Sequence, residues 1–305
     1  MAKKLKNIKI RESKMDVVLD VFTSIILILF TLIVLYPLVY VVSASFSSSK
    51  ALSGGLVVLW PVDVTLQAYE FVLAYKDVWV GFRNSIFYCI MDVAFQMTCT
   101  VLMAYALSRK YCQGRQFYTW FFFMTARFSA GLTPNFILKC NLGLFDNVWA
   151  ILISGVIAVG HVLILRTAIN TSIPSELHDA AMIDGANHFQ TVFKLVVPLT
   201  KATLSVLTLY CIVGQWNEYF TAMIFLRNKK YFPLQLVLRP IMTAAAMVNQ
   251  MDTSNMAPAY QQQADQGLEN VRYALIIISS TPIIVLYFFV QKYFKGGMMM
   301  GSVKG

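Results

Sequence analysis

From about Val17 to Val42 the chain stays apolar for longer than a buried helix of a water-soluble domain requires. About 20 such residues cross the hydrocarbon of a bilayer, where a backbone with no water to bond must satisfy itself as a helix. Comparable runs recur near residues 84–107, 117–138, 148–169, 202–226 and 273–294. Composition agrees, because 58% of the 305 residues are hydrophobic and 13% charged, too few polar groups to cover a soluble surface. The expectation is an all-α, polytopic membrane protein of about six transmembrane helices in one domain. A cleavable signal peptide is not expected, since the first run is longer than a signal core and ends without a clear small-residue cleavage site.

Charge orients the spans. The arm 1–16 carries Lys3, Lys4, Lys6, Lys9, Arg11 and Lys14, and the turn after the second span carries Arg109, Lys110 and Arg115. Placing these in the cytoplasm puts the greater part of the 25 Lys and Arg residues inside, with both termini, as the positive-inside rule requires. The body 17–295 then has outer loops at 43–83 and 227–272, an inner loop at 170–201 and an inner tail at 296–305. Outside, Trp60, Tyr69 and Trp79 suit the headgroup level, and an amphipathic piece spans about Ala68 to Leu73, whereas 227–272 shows little apolar periodicity. The net charge of +10 reflects topology rather than nucleic-acid binding, because nothing aromatic is interleaved with the basic runs in the way nucleic-acid grooves require.

The inner loop is the most informative polar stretch. Pro174 fits the start of a helix, Ser175 is a good cap, and Glu176 and Asp179 place negative charge where the helix dipole favours it. Leu177 and Ala181 share a face, Ala180 and Asp184 lie beside them, and Gly185 supplies a left-handed residue to end the helix. A face of alanines and one leucine suits a close-fitting protein partner. The plainer alternative is an ordinary amphipathic helix between spans.

Asp179-Ala180-Ala181, then Gly185 and a hydrophobic pair before Pro198, resembles the EAA loop of ABC-importer permeases, with Asp179 standing for the usual glutamate. Ile173-Pro174-x-Glu176-Leu177 and Ile183-Asp184-Gly185-Ala186 resemble the carbohydrate branch. So do Ala104 to Arg109, Gly131 to Pro134, Leu142-Gly143-Leu144, Trp216 to Tyr219, and Gln291 to Phe294 followed by Gly301 to Gly305. The likeness is to the branch related to the maltose importer's smaller membrane subunit, especially its complex-oligosaccharide and polysaccharide members. It implies the type I importer permease fold in a bacterial plasma membrane, paired with a second permease, two ATP-binding subunits and an extracytoplasmic sugar-binding protein.

The same resemblance makes Glu176, Leu177, Asp179, Ala180, Ala181, Asp184 and Gly185 the ATPase-coupling contact. Gly301, Ser302, Val303, Lys304 and Gly305 become an ATPase-contacting tail, although glycine-rich termini also fray. The chain has no Gly-x-x-x-x-Gly-Lys-Ser/Thr loop, so ATP and Mg belong to the partner ATPase and the subunit is not itself an enzyme. Neither a catalytic group nor a metal site is expected, and the five cysteines form no Cys-x-x-Cys pair or expected disulfide. Rival readings are a peptide or amino-acid ABC permease and a secondary carrier, the latter leaving the inner loop without a purpose.

Candidate pathway residues are those that lipid would penalise. Gly131 and Pro134 interrupt the third span, and Gln215, Trp216, Asn217 and Glu218 form a polar cluster in the fifth, so both stretches are expected beside a vestibule. Arg127 lies about halfway along the third span. Its cost there is met either by pairing with Asp92 or Glu218, or by facing a water-filled path in which it greets an acidic glycan. His161 is expected to bond a neighbouring helix, and Arg166 to snorkel to headgroups. The glycan itself is not readable from these residues.

Overall fold

A computed structural model describes residues 13–128, 130–250 and 269–301. The helices, in chain order, are α1 Lys14–Ser45, α2 Ser49–Ser53, α3 Gln67–Ala74, α4 Lys76–Ser108, α5 Arg115–Arg127, α6 Leu132–Asn141, α7 Trp149–Leu152 and α8 Val159–Ser172. There follow α9 Ser175–Ile183, α10 His188–Thr191, α11 Val197–Leu199, α12 Lys201–Asn217, α13 Phe220–Phe225, α14 Leu234–Gln250 and α15 Glu269–Gly301. No strand occurs among the described residues. The chain divides into two compact units, Met1–Tyr69 with Val248–Ile277, and Glu70–Met247 with Ile278–Gly305.

In the first unit, α1 opens with a reciprocal cap. The Ser13 hydroxyl accepts from the Met15 N–H at 3.4 Å, and the Asp16 carboxylate accepts the Ser13 N–H at 3.0 Å. The helix exposes nearly every apolar side chain, Ile33 by 69%, which suits hydrocarbon rather than water. Its threonines agree: Thr23 and Thr31 return their hydroxyls to the Leu19 and Leu27 carbonyls at 2.8 and 2.7 Å, leaving no unsatisfied donor on the apolar face. At the polar end, the Asn270 amide donates to the Ser47 carbonyl at 3.2 Å and accepts from Ser49 at 3.1 Å, while Tyr69 donates to Ser45 at 2.8 Å. These bonds fasten the segment after α1 to the start of α15.

The second unit is organised on α4. Its buried positions, Val78, Gly81, Ser85, Tyr88, Asp92, Gln96, Thr100, Ala104 and Leu107, recur at intervals of three and four and form one stripe. Helices α8 and α12 pack along that stripe. Two polar pairs tie it to those helices: the Cys211 thiol donates to Asp92 Oδ2 at 3.0 Å, and Gln96 Oε1 lies 3.1 Å from His161 Nδ1, the expected bond between helices. Gly81 allows the close approach of α14, because a Cβ there would lie 3.1 Å from the Leu234 Cα.

By length and apolarity, Met15–Ser45, Lys76–Ser108 and Asn270–Lys292 are each sufficient to cross a membrane, and two bent pairs raise the number to five. One pair, Trp149–Gly155 with Val159–Ser172, bends by 41°, and the other, His188–Leu199 with Lys201–Asn217, by 87°. The third expected span falls on α5 and α6, divided at the Gly131 break. Two sequence expectations change. Helix α4 begins at Lys76, inside the expected outer loop, and 227–272 contains the amphipathic α14, whose Leu234 and Leu238 are buried one turn apart. Pro240 inside α14 masks that periodicity. The glutamine run 261–263 and the arm 1–12 lie outside the described residues.

The α4–α14 approach is testable. Gly81→Val should destabilise the purified protein by about 1–3 kcal/mol through overpacking against backbone, read as a lower midpoint of thermal unfolding. Gly160→Ala on α8, where a Cβ meets nothing within 4 Å, should leave the midpoint unchanged or slightly raised.

Candidate functional site

The loop after α8 folds as a short helix, α9, with both ends determined. Pro174 takes the cap position with extended backbone, so Ser175 becomes the first helical residue. This corrects the expectation that Ser175 caps the helix: its hydroxyl approaches Glu176 Oε1 at 3.5 Å instead of a backbone N–H. At the other end, the Gly185 N–H donates to Met182 O at 3.0 Å and the Ala186 N–H to Ala181 O at 2.9 Å, with Gly185 at φ +78°. That pair of bonds is the Schellman closure, and its positive φ favours glycine.

The chain then restarts with a capping box, Asn187 Oδ1 accepting from the Gln190 N–H at 2.8 Å and Gln190 Oε1 from the Asn187 N–H at 2.9 Å. Beyond α10 the backbone widens to a π turn over Val192–Val196. Pro198 has no N–H to return to the carbonyl four residues back, and its ring crowds that carbonyl, which accounts for the widening.

Two faces result. Inward, Ile173, Val192 and Val196 join a core with Val101, Ala104, Tyr105 and Leu107 of α4, Val162, Leu165 and Ile169 of α8, and Leu207 of α12. Outward, Leu177 and Met182 are each 44% exposed and Ile183 is 87% exposed. Glu176, Asp179, Ala180, Asp184 and Gly185 are also exposed, and Ala181 is half-buried. Phe189 and Phe193, outside the sequence-derived set, are exposed by 65% and 62%. An apolar face beyond the spans requires a covering surface.

The hinge between α9 and α4 is polar. Arg109 lies over the Tyr105 ring at 5.3 Å and donates from Nε to Ser108 at 3.1 Å. Tyr111 donates to Asp179 at 3.3 Å, and the Tyr105 hydroxyl shares a 3.1 Å hydrogen bond with His188 Nδ1. Asp179, which takes the place of the motif's glutamate, thus bonds within its own chain. His178 is the feature the sequence conceals. It is 2% exposed, its ring packs 6.3 Å from that of Tyr105, and neither ring nitrogen has a hydrogen-bond partner. Burial, reinforced by the Arg109 charge and opposed by Asp179, pushes its pKa down to about 4, so the imidazole is a neutral wedge at pH 7.

The pathway candidates separate. Trp216 is 3% exposed, donates from Nε1 to the Ser279 carbonyl at 2.9 Å and meets Phe82 edge-on at 5.7 Å, so it packs within its own unit. Glu218 caps α13 by accepting the Thr221 N–H at 2.7 Å, and Asn217 returns its amide to Val213 O at 2.9 Å. Gln215 is half-buried, whereas Gly131, at φ +86°, and Pro134 are exposed where α6 begins. Arg127 makes no ion pair with Asp92 or Glu218, correcting that expectation: Asp92 is held by Cys211 and Glu218 by its cap. Instead Arg127 ends α5 in the open, 5.5 Å over the Phe123 ring. Gly301 is the last residue of α15, and Ser302, Val303, Lys304 and Gly305 lie outside the described residues. Among the described residues no group of three or more His, Cys, Asp and Glu could hold a metal, and all five cysteines are free.

Residues 9–299 match the family described as binding-protein-dependent transport system inner membrane component. The chain is similar to the polygalacturonan/rhamnogalacturonan transport system permease protein of Bacillus subtilis, 32% identical over 92% of this chain and 96% of that protein. It is also similar to the arabinooligosaccharides transport system permease protein of Halalkalibacterium halodurans, 25% identical over 90% of this chain and 92% of that one. In a crystal structure of a bacterial ABC transporter involved in the import of the acidic polysaccharide alginate, one chain superposes with a TM-score of 0.80. It is 34% identical, and the match covers 93% of this chain and 99% of that one. The likeness establishes the type I importer permease fold.

His178 generates a pH prediction. Released from its pocket the ring titrates near its ordinary 6.5, whereas docked it resists protonation until about 4. Docking of α9 is therefore unaffected above pH 7 and weakens as pH falls from 6.5 towards 4. A spin label at Ile183 should gain mobility across that window, and His178→Leu should flatten the response.

Proposed function

Because the chain belongs to the family of binding-protein-dependent transport system inner membrane components, we propose that it works through α9, the coupling helix to a cytoplasmic ATPase. The protein is a carbohydrate ABC-importer permease, multi-pass in the bacterial inner membrane, and its class operates with a partner permease, an ATPase and a binding protein. The outward face of α9 carries the coupling assignment. Glu176, Leu177, Asp179, Ala180, Ala181, Asp184 and Gly185 lie on α9 and its closing turn, whose apolar Leu177, Met182 and Ile183 remain exposed among the described residues. Two ATPase subunits would bind ATP and Mg, and their closure would push on α9. The anchors Ile173, Val192 and Val196 then carry that movement into α4, α8 and α12. Gly301 to Gly305 would add a second contact with the ATPase.

The pathway would run between this subunit and a second permease, past Arg127, Gly131, Pro134, Gln215, Asn217 and Glu218, with Trp216 holding α12 in place behind it. For cargo we favour an acidic glycan. Support comes from the names of the galacturonan and alginate systems and from Arg127, a cation with no carboxylate partner among the described residues. Helix α5 rises at 1.5 Å per residue, placing Arg127 roughly 18 Å from Arg115, near mid-membrane, where an unpaired charge facing lipid would cost several kcal/mol. A water-filled path or the partner subunit meets that cost.

Two experiments test these assignments. Gly185→Leu strains a left-handed residue by about 1–2 kcal/mol and should leave the subunit inserted but reduce ATPase retention and uptake together; normal assembly with normal uptake counts against α9 as the contact. Arg127→Ala should slow uptake of acidic glycans more than neutral ones of equal length. Unchanged relative rates would remove Arg127 from substrate selection.

A further inference from the structure

We propose that a basic cleft between the starts of α5 and the end of α8 binds the phosphate of an anionic phospholipid headgroup, in the leaflet on the α9 side of the membrane. The cleft has two adjoining lobes of about 370 and 480 Å³, and the larger is lined by Lys110, Arg115, Gln116, Thr119, Trp120 and Arg166. Three of those six side chains are cationic and none is acidic. Asp179 lines only the adjoining lobe, where its carboxylate already accepts from Tyr111.

The cations are held in place rather than left to spread. Arg166 donates from Nη1 to Thr119 Oγ1 at 3.2 Å, and the Thr119 hydroxyl donates in turn to Arg115 O at 2.7 Å. Arg166 is thereby fixed near Arg115, whose like charge repels it. Its Nε is buried with no hydrogen-bond partner. A guanidinium with one donor buried and unpaired beside a second cation is costly unless an anion in the cleft it lines offsets its charge. The start of α5 adds to the same field, since Gly114 provides no side-chain cap and the first-turn N–H groups favour negative charge.

The surroundings select the source of that anion. Phe117, Trp120 and Phe121 on α5 are exposed by 69%, 57% and 55%, an aromatic wall beside the cleft that acyl chains can cover and water cannot. Trp120 belongs to both, as expected of a residue at headgroup depth. A soluble phosphate would leave this wall bare, whereas a phospholipid fills the cleft with its headgroup and covers the wall with its chains. The inference is independent of the coupling assignment, because it concerns the α5–α8 side and not the face of α9.

The test uses the full-length chain purified with its co-purifying partners, stripped of lipid and returned to nanodiscs of phosphatidylcholine with or without phosphatidylglycerol. Native mass spectrometry counts the lipid retained. Retention of phosphatidylglycerol in preference to phosphatidylcholine, undiminished by millimolar inorganic phosphate, is the expected result. Arg115→Gln and Arg166→Gln should each weaken retention about fivefold, and Arg166→Lys, which keeps the charge, should weaken it less. Equal retention of the two lipids by the unaltered protein overturns the proposal without reference to any variant. Displacement by inorganic phosphate also overturns it, since the cleft would then be a site for soluble anions.

Discussion

The contact on which the rest depends is the stripe that α4 presents to α8 and α12. Lipid tails are as apolar as leucine, so helices in a membrane gain little from hiding apolar surface and must associate through close packing and polar bonds. The stripe supplies both. Ala104 keeps the backbone approachable there, as Gly81 and Ser85 do towards α14, while the Asp92–Cys211 and Gln96–His161 bonds join the helices at fixed heights. Apolar residues are therefore found outside, on α1 and α5, and many of the polar ones within.

That inversion also explains where the helices stop. Breaks at Gly131, between α7 and α8, before Lys201 and at Glu218 each release backbone groups that hydrocarbon could not satisfy. Each is met locally: Gln96 bonds the Gly155 carbonyl, Asn135 the Gly131 carbonyl, the Thr200 hydroxyl the Val196 carbonyl and Glu218 the Thr221 N–H.

Much of this was legible in the sequence, for physical reasons that differ by element. The apolar runs were readable because hydrocarbon permits one backbone solution, and α9 because Pro174 and Gly185 mark its ends chemically. His178 was not, since a histidine in a polar loop reads as solvated until the ring of Tyr105 is known to lie over it. Trp216 read as part of a polar cluster beside a vestibule, yet its indole N–H finds the Ser279 carbonyl, a partner 63 residues away. Helix α14 was hidden by Pro240, which interrupts a pattern without ending the helix. The Arg127 pairing failed because Asp92 and Glu218 had nearer partners of their own.

The attachment of α9 at both ends has a mechanical consequence. A nine-residue helix tethered at one end would pivot, and most of a thrust applied to it would be lost as rotation. Here Ile173 fixes one root and Val192 with Val196 the other, while His178 fills the space beneath the middle. The element is thus a bridge supported at two abutments with a pier between them, stiff against a load from outside. Beyond its second abutment the chain turns through 87° before Lys201, so the bridge and α12 run in different directions from one shared corner.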